Sequence, residues 1–145
     1  QQYFDVKNDS PYMLIVAPVK EERRAKVPAN YWSLPMRDRL YTMRSDVQSI
    51  THVDFSARVQ SVHPETNDKY HQLISKFKEK TGSSVIVNTS FNVRGEPIVC
   101  TAEDSYKCFR RTEMDILVVE NYILYKTEQP DFSDKEKWQE TFKLD

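Results

Sequence analysis

The sequence predicts an α/β or α+β fold with a mixed sheet. Three observations carry that prediction. Apolar runs of strand length recur at Tyr12 to Val19, Thr51 to Val62, Val85 to Asn88 and Asp115 to Lys126. A helical apolar stripe lies between the second and third of them. Capping signals at Thr101 and Ser133 open two further helices. The predicted order is β, a long excursion, β, α, β, α, β, β, α.

Tyr12 to Val19 is almost continuously apolar, which suits a strand covered on both faces. Ser10-Pro11 punctuates its start, and Pro18 limits its central pairing. Lys20 to Ser49 differs in being rich in charge, carrying Pro28 and Pro35 and showing no sustained apolar period. Arg23, Arg24, Lys26, Arg37, Arg39 and Arg44 make it basic. It reads as a long excursion with a short helix near Leu34 to Met43, and loops of this length carry function or are solvated insertions.

Thr51 to Val62 returns to β character, and regular alternation sets Asp54, Ser56, Arg58 and Gln60 on one face. In Asn67 to Lys80, Asn67 serves as the cap and Tyr70, Leu73, Ile74 and Phe77 form a core-facing stripe. Gly82 suits a left-handed helix end. Val85 to Asn88 reads as a buried strand. Thr101 with Asp104 forms a capping box for a helix that turns Tyr106 and Phe109 inward. Asp115 to Glu120 and Tyr122 to Lys126 make a hairpin around Glu120-Asn121. Ser133 and Glu136 open a final helix, with Trp138 and Phe142 on one face.

With 145 residues, the chain is long enough for one domain with its own core, so 1–145 is expected to be a single domain. The net charge of −1 argues against a general nucleic-acid or acidic-membrane surface. No apolar run reaches membrane-spanning length. Gln1-Gln2-Tyr3-Phe4 shows neither the basic region nor the apolar core of a signal peptide, and no Met begins the chain. A piece of a longer cytoplasmic protein is expected. Cys100 and Cys108 fit no common metal spacing and, if helical, lie about two turns apart. They read as structural thiols, and no protein metal site is expected.

The densest cluster of ligand-capable groups is Asn88-Thr89-Ser90-Phe91-Asn92, followed by Gly95-Glu96-Pro97. Hydroxyls and amides gathered between a strand end and a helix start can hold an anion. The same residue types also form turns that satisfy their own backbone, and residue chemistry leaves both readings open. Gly95 permits close backbone approach. Arg58, expected on a mostly buried strand, needs a partner there, either Asp54, another acid or an anionic ligand. His52, His63 and His71 share no motif, no nucleophile–base arrangement is visible, and no Walker-type glycine loop is present.

These segments resemble the C-terminal domain of the NodU/CmcH-type O-carbamoyltransferases. The resemblance runs through Ser10-Pro11-Tyr12-Met13, Thr51-His52-Val53-Asp54, Ser56-Ala57-Arg58-Val59-Gln60 and Asn88 to Val93. It continues through Gly95-Glu96-Pro97-Ile98-Val99, Thr101, Asp104, Cys108 and Phe109, covering roughly Phe4 to Tyr125. It implies a YrdC-like twisted mixed sheet with flanking helices, the 20–49 excursion being family-variable. It also implies adenylate chemistry, in which carbamoyl phosphate and ATP (with Mg2+) give carbamoyl adenylate and pyrophosphate. An N-terminal domain of the same protein, with an actin-like ATPase fold, then passes the carbamoyl group to an acceptor hydroxyl.

Carried over, Ser90 and Asn92 contact phosphates or the adenylate, and Arg58 steadies anionic oxygens. Arg58 and Ser90 are then the catalytic candidates, and Asn88, Thr89 and Gly95 shape the binding loop. No tightly bound cofactor is implied. In two respects the chain departs from the family. Phe55 replaces the Gly of the family's Asp-Gly-Ser/Thr-Ala-Arg run, and a Lys/Arg-rich segment ending in Phe-Arg-Pro-Phe-Ala-Pro is absent. The fragment alone is therefore expected to lack transferase activity. The alternative is a non-catalytic nucleotide-binding or regulatory module, with a nucleic-acid role disfavoured by charge.

Overall fold

A computed structural model describes residues 2–132. The final helix expected from Ser133 lies outside them. The chain divides into two compact units, Gln1–Val87 and Asn88–Asp145.

In the first unit, β1 (Ile15–Pro18) pairs antiparallel with β2 (Ser56–Val59), setting Val16 opposite Arg58 and Ala17 opposite Ala57. Ala17, Val19, Ala57 and Val59 form the buried centre, with Phe4, Val6, Ile15, Val47 and Ile50 packed around it. The opposite face is open, because Leu14 and Val16 are exposed. Thus β1 is covered on one face, not on both as its continuous apolarity predicts.

Ser10 fastens the two strands. Its buried hydroxyl donates to the Val59 carbonyl at 2.9 Å and accepts from the Leu14 and Ile15 amides, each at 3.2 Å. Its carbonyl also accepts from the amides of Met13 and Ser61. The Ser10-Pro11-Tyr12-Met13 element is thus a clamp, closed by a left-handed Met13 at φ +56°.

The excursion is tied down. It holds short 3-10 turns at Glu21–Arg23, Tyr31–Ser33 and Gln48–Ile50 and a helix, α1 (Met36–Tyr41). Arg44 is buried and donates to the carbonyls of Arg39, Leu40, Thr42 and Thr51. This fan of guanidinium donors satisfies the carbonyls that a helix end leaves open. Tyr31 is buried as well, its hydroxyl donating to the Val53 carbonyl at 2.7 Å.

Helix α2 (Pro64–Thr81) carries a break at Asn67, at φ −153° and ψ 77°. The Asn67 side chain accepts from the Tyr70 amide at 3.2 Å, so it caps the longer segment as its sequence position predicts. Gly82 ends the helix at φ +78°. The expected core-facing stripe is not core. No α2 residue is buried, and Leu73 and Phe77 are exposed. Amphipathicity specifies which face seeks an apolar partner but does not supply one.

Val85 to Asn88 forms no strand, and Val87 and Asn88 are exposed. The described residues contain two separate two-stranded antiparallel ladders where a single mixed sheet was predicted. The class is α+β.

In the second unit, Thr101 caps α3 (Ala102–Arg111) through the predicted capping box with Asp104. Cys108 and Phe109 are buried and Tyr106 is half-buried. Strands β3 (Ile116–Val119) and β4 (Tyr122–Tyr125) form the predicted hairpin around Glu120-Asn121, and β3 lies against α3. Lys126 closes the C-terminal end of α3, donating to the carbonyls of Phe109 and Thr112. A cation there also complements the helix dipole.

Candidate functional site

The predicted binding loop belongs to the second unit. Asn88, Thr89 and Ser90 are exposed, and the Ser90 hydroxyl has no hydrogen-bond partner among the described residues. Asn92 behaves differently. Its amide nitrogen donates to the Val93 carbonyl at 2.9 Å and the Glu96 carbonyl at 2.8 Å. It therefore builds the turn that carries Gly95, at φ +85°. The Glu96 amide donates back to the Val93 carbonyl at 3.0 Å, and the Val99 amide to the Phe91 carbonyl at 3.1 Å. Of the two readings left open by residue chemistry, the self-satisfied turn fits Asn92 through Glu96, and the open donor fits Ser90.

Glu96 was not among the predicted site residues. One carboxylate oxygen accepts from the Val93 amide at 3.3 Å, and the other lies 3.6 Å from the Arg111 guanidinium. The two side chains are only 12% and 6% exposed. Cys108 lies beside them. Burial pushes its thiol above the ordinary value, and the Glu96 carboxylate pushes the same way. The available signal was an acidic residue inside an apolar Gly-Glu-Pro-Ile-Val run, where a carboxylate needs a partner.

Arg58 lies in the first unit. It is exposed on β2, and no hydrogen bond or ion pair holds it among the described residues. The expectation of a mostly buried guanidinium in need of a partner is corrected. Ala57 and Val59 take the buried positions, and a solvated arginine needs no compensating charge. Asp54 instead accepts from the Ser56 hydroxyl at 2.6 Å and the Ser56 amide at 3.0 Å. These bonds hold its carboxyl below the ordinary range, the hydroxyl contributing most.

His52 Nδ1 lies 2.9 Å from the Ser56 hydroxyl oxygen. With the Ser56 proton directed to Asp54, His52 donates and cannot serve as the base for Ser56. The His-Ser-Asp group is a turn lock.

Phe55 completes that turn. His52 accepts from the Phe55 amide and donates to the Ser56 carbonyl, and Phe55 sits at φ +64°. This is a type I turn followed by a left-handed residue, a position that Gly fills by default. Phe55 keeps the backbone a glycine takes and sets its ring 5.7 Å from Tyr31, 6.2 Å from Trp32 and 5.5 Å from the Arg24 guanidinium carbon. The backbone entering Arg58 is therefore the regular β2 ladder.

Among the described residues, no helix is long and apolar enough to cross a membrane, and no group of three His, Cys, Asp or Glu side chains can hold a metal.

The family described as carbamoyltransferase C-terminus matches residues 1–126. The chain is 56% identical over 143 residues to the uncharacterized protein sll1178 of Synechocystis, covering 99% of this chain and 23% of that one. It is 34% identical over 122 residues to the nodulation protein NolNO of Sinorhizobium fredii, covering 84% of this chain and 15% of NolNO. Over 60 residues it is 42% identical to the 3'-hydroxymethylcephem-O-carbamoyltransferase of Amycolatopsis lactamdurans, covering 41% of this chain and 12% of that enzyme. The chain thus spans less than a quarter of the length of each of these relatives. With the match running from the Ser10 clamp through the Asn88–Glu96 loop to the β3–β4 hairpin, this chain belongs to the carbamoyltransferase C-terminus family.

Proposed function

We propose that this chain is the C-terminal part of an O-carbamoyltransferase and contributes binding groups to the site that forms carbamoyl adenylate. One observation carries the reading: an exposed Asn88-Thr89-Ser90 run, with an open Ser90 hydroxyl, stands on a turn locked from within. Such a loop can offer hydroxyl and amide donors to phosphate oxygens without rearranging. Arg58, exposed on its strand, supplies a fork suited to a phosphate or carboxylate.

In the proposed half-reaction, water adds to the carbamoyl carbon of carbamoyl phosphate and the bond to phosphate breaks, giving carbamate and inorganic phosphate. A carbamate oxygen then attacks the α-phosphorus of ATP, and pyrophosphate leaves. Ser90 steadies the anionic oxygens as charge shifts on phosphorus and takes no proton. A divalent ion would enter with the nucleotide, since the described residues offer no three-carboxylate or His/Cys cage. The carbamoyl group then passes to an acceptor hydroxyl in the N-terminal part of the protein, and AMP leaves.

The test uses the full-length protein that carries this segment. ATP-dependent pyrophosphate release should require carbamoyl phosphate. Loss of one such donor removes on the order of 3 kcal/mol of transition-state stabilisation, so Ser90→Ala and Arg58→Ala should each slow release by roughly a hundredfold. Nucleotide binding without pyrophosphate release would favour the non-catalytic module instead. No binding and no release would defeat both readings.

A further inference from the structure

We propose that Glu96 is a positioning residue: its buried carboxylate ties the Asn88–Gly95 loop to helix α3 and fixes where Ser90 presents its hydroxyl. The inference rests on the reading of Ser90 as a ligand contact. It goes further by assigning a role to a side chain that reaches no ligand itself.

Four groups of Glu96 face the loop or the helix. Its amide donates to the Val93 carbonyl at 3.0 Å, and its carbonyl accepts from Asn92 at 2.8 Å. One carboxylate oxygen accepts from the Val93 amide at 3.3 Å, and the other faces Arg111 at 3.6 Å. The backbone pair closes the turn, and any residue able to follow Gly95 could provide it. The carboxylate is what the turn alone does not require. It crosses from the loop to the last turn of α3, where Arg111 and Cys108 lie.

A carboxylate this buried is costly unless it is paired, and an ion pair at 3.6 Å with few exposed atoms adds little net stability over an apolar contact. What such a pair supplies is direction. The carboxylate meets the Val93 amide, the Arg111 guanidinium and the Cys108 thiol together, and that set of partners favours one seating of the loop on the helix. Thr89 and Ser90 have no hydrogen bond of their own among the described residues, so their placement depends on this anchor downstream.

The test has two arms on the full-length protein. In the first, hydrogen exchange compares wild type with Glu96→Gln, which keeps the shape and removes the charge. The Val93, Glu96 and Val99 amides, which donate hydrogen bonds within the loop, should exchange about ten to a hundred times faster, the range expected for losing charge-assisted bonds, while α3 amides keep their protection. Unchanged loop exchange overturns the proposal. So does loosening of α3 to the same extent, since Glu96 would then be a general fold determinant. If Glu96→Gln does not fold, Glu96→Asp, which keeps the charge on a shorter stem, is held to the same criterion.

The second arm is a double-mutant cycle on kcat for pyrophosphate release. Ser90→Ala should cost roughly a hundredfold in wild type and less than about tenfold in the Glu96→Gln background. Additive effects overturn the proposal. The exchange arm needs no substrate, so a wild-type protein that releases no pyrophosphate defeats the functional reading alone and leaves the anchoring role to be judged by exchange.

Discussion

The Asn92 side-chain amide donates to the Glu96 carbonyl at 2.8 Å, across the turn that Gly95 makes possible at φ +85°. Asn92→Ala removes this donor and the one to Val93, leaving two carbonyls without them. The expected cost is about 1–3 kcal/mol. Asn92→Asp should be worse than Ala, because a carboxylate oxygen would face the same carbonyls. Residue-resolved hydrogen exchange across Phe91 to Val99 ranks the two variants, and an equal or reversed order would contradict the assignment of donors.

Ser10→Ala should rank among the costlier substitutions of a small side chain. The hydroxyl serves the Val59 carbonyl and two amides at once, within a buried site. Leaving such groups unsatisfied costs on the order of 2 kcal/mol. Urea unfolding measures it, and a change under about 0.5 kcal/mol, the range of ordinary surface substitutions, would show that the clamp is dispensable.

At position 55 the order of two variants is diagnostic. Phe55→Ala loses the ring contacts with Tyr31, Trp32 and Arg24 yet keeps the left-handed backbone. Phe55→Gly loses the same contacts and relieves the strain. Gly should therefore be the more stable by about 1 kcal/mol. Equal unfolding midpoints would mean that no strain is held there.

Thr101→Ala removes the oxygen that accepts from the Asp104 amide at 3.1 Å. The loss should be about 1 kcal/mol, with Thr101→Ser nearly neutral. Denaturant titration of both variants checks the pair.

The Asp54 carboxyl is held below its ordinary value by the Ser56 hydroxyl and amide. A depressed folded-state pKa means that the contribution is complete above the ordinary carboxylate range and is lost as pH falls through the lower folded value. The His52–Ser56 turn should loosen below about pH 4. Asp54→Asn should remove that pH dependence, as read from exchange of the Ser56 amide between pH 3 and 6, roughly the span around the unperturbed value.

Local chemistry was legible where it closes within a few residues. Asn67, Gly82, the Thr101–Asp104 box and the Glu120-Asn121 turn each follow from side chains acting on nearby backbone. What depends on distant partners was not. Val85 to Val87 has strand composition but finds no ladder, and Leu73 and Phe77 have core spacing but remain exposed. The β1–β2 register turns Arg58 to solvent although its neighbours Ala57 and Val59 are core. In the candidate loop, composition named Asn88 through Asn92 and Gly95. It passed over Glu96, because a lone acid in a turn looks solvated until Arg111 is seen beside it.

The two thiols differ in a way that can be put to use. Cys100 stands exposed at the exit of the loop, whereas Cys108 is buried in α3 with its ionisation disfavoured. Since reactivity follows the accessible thiolate, an alkylating reagent meets one fast site in the folded chain and two in the unfolded one. This segment therefore carries its own labelling position next to the Gly95 turn, where a fluorophore can report motion without an introduced residue.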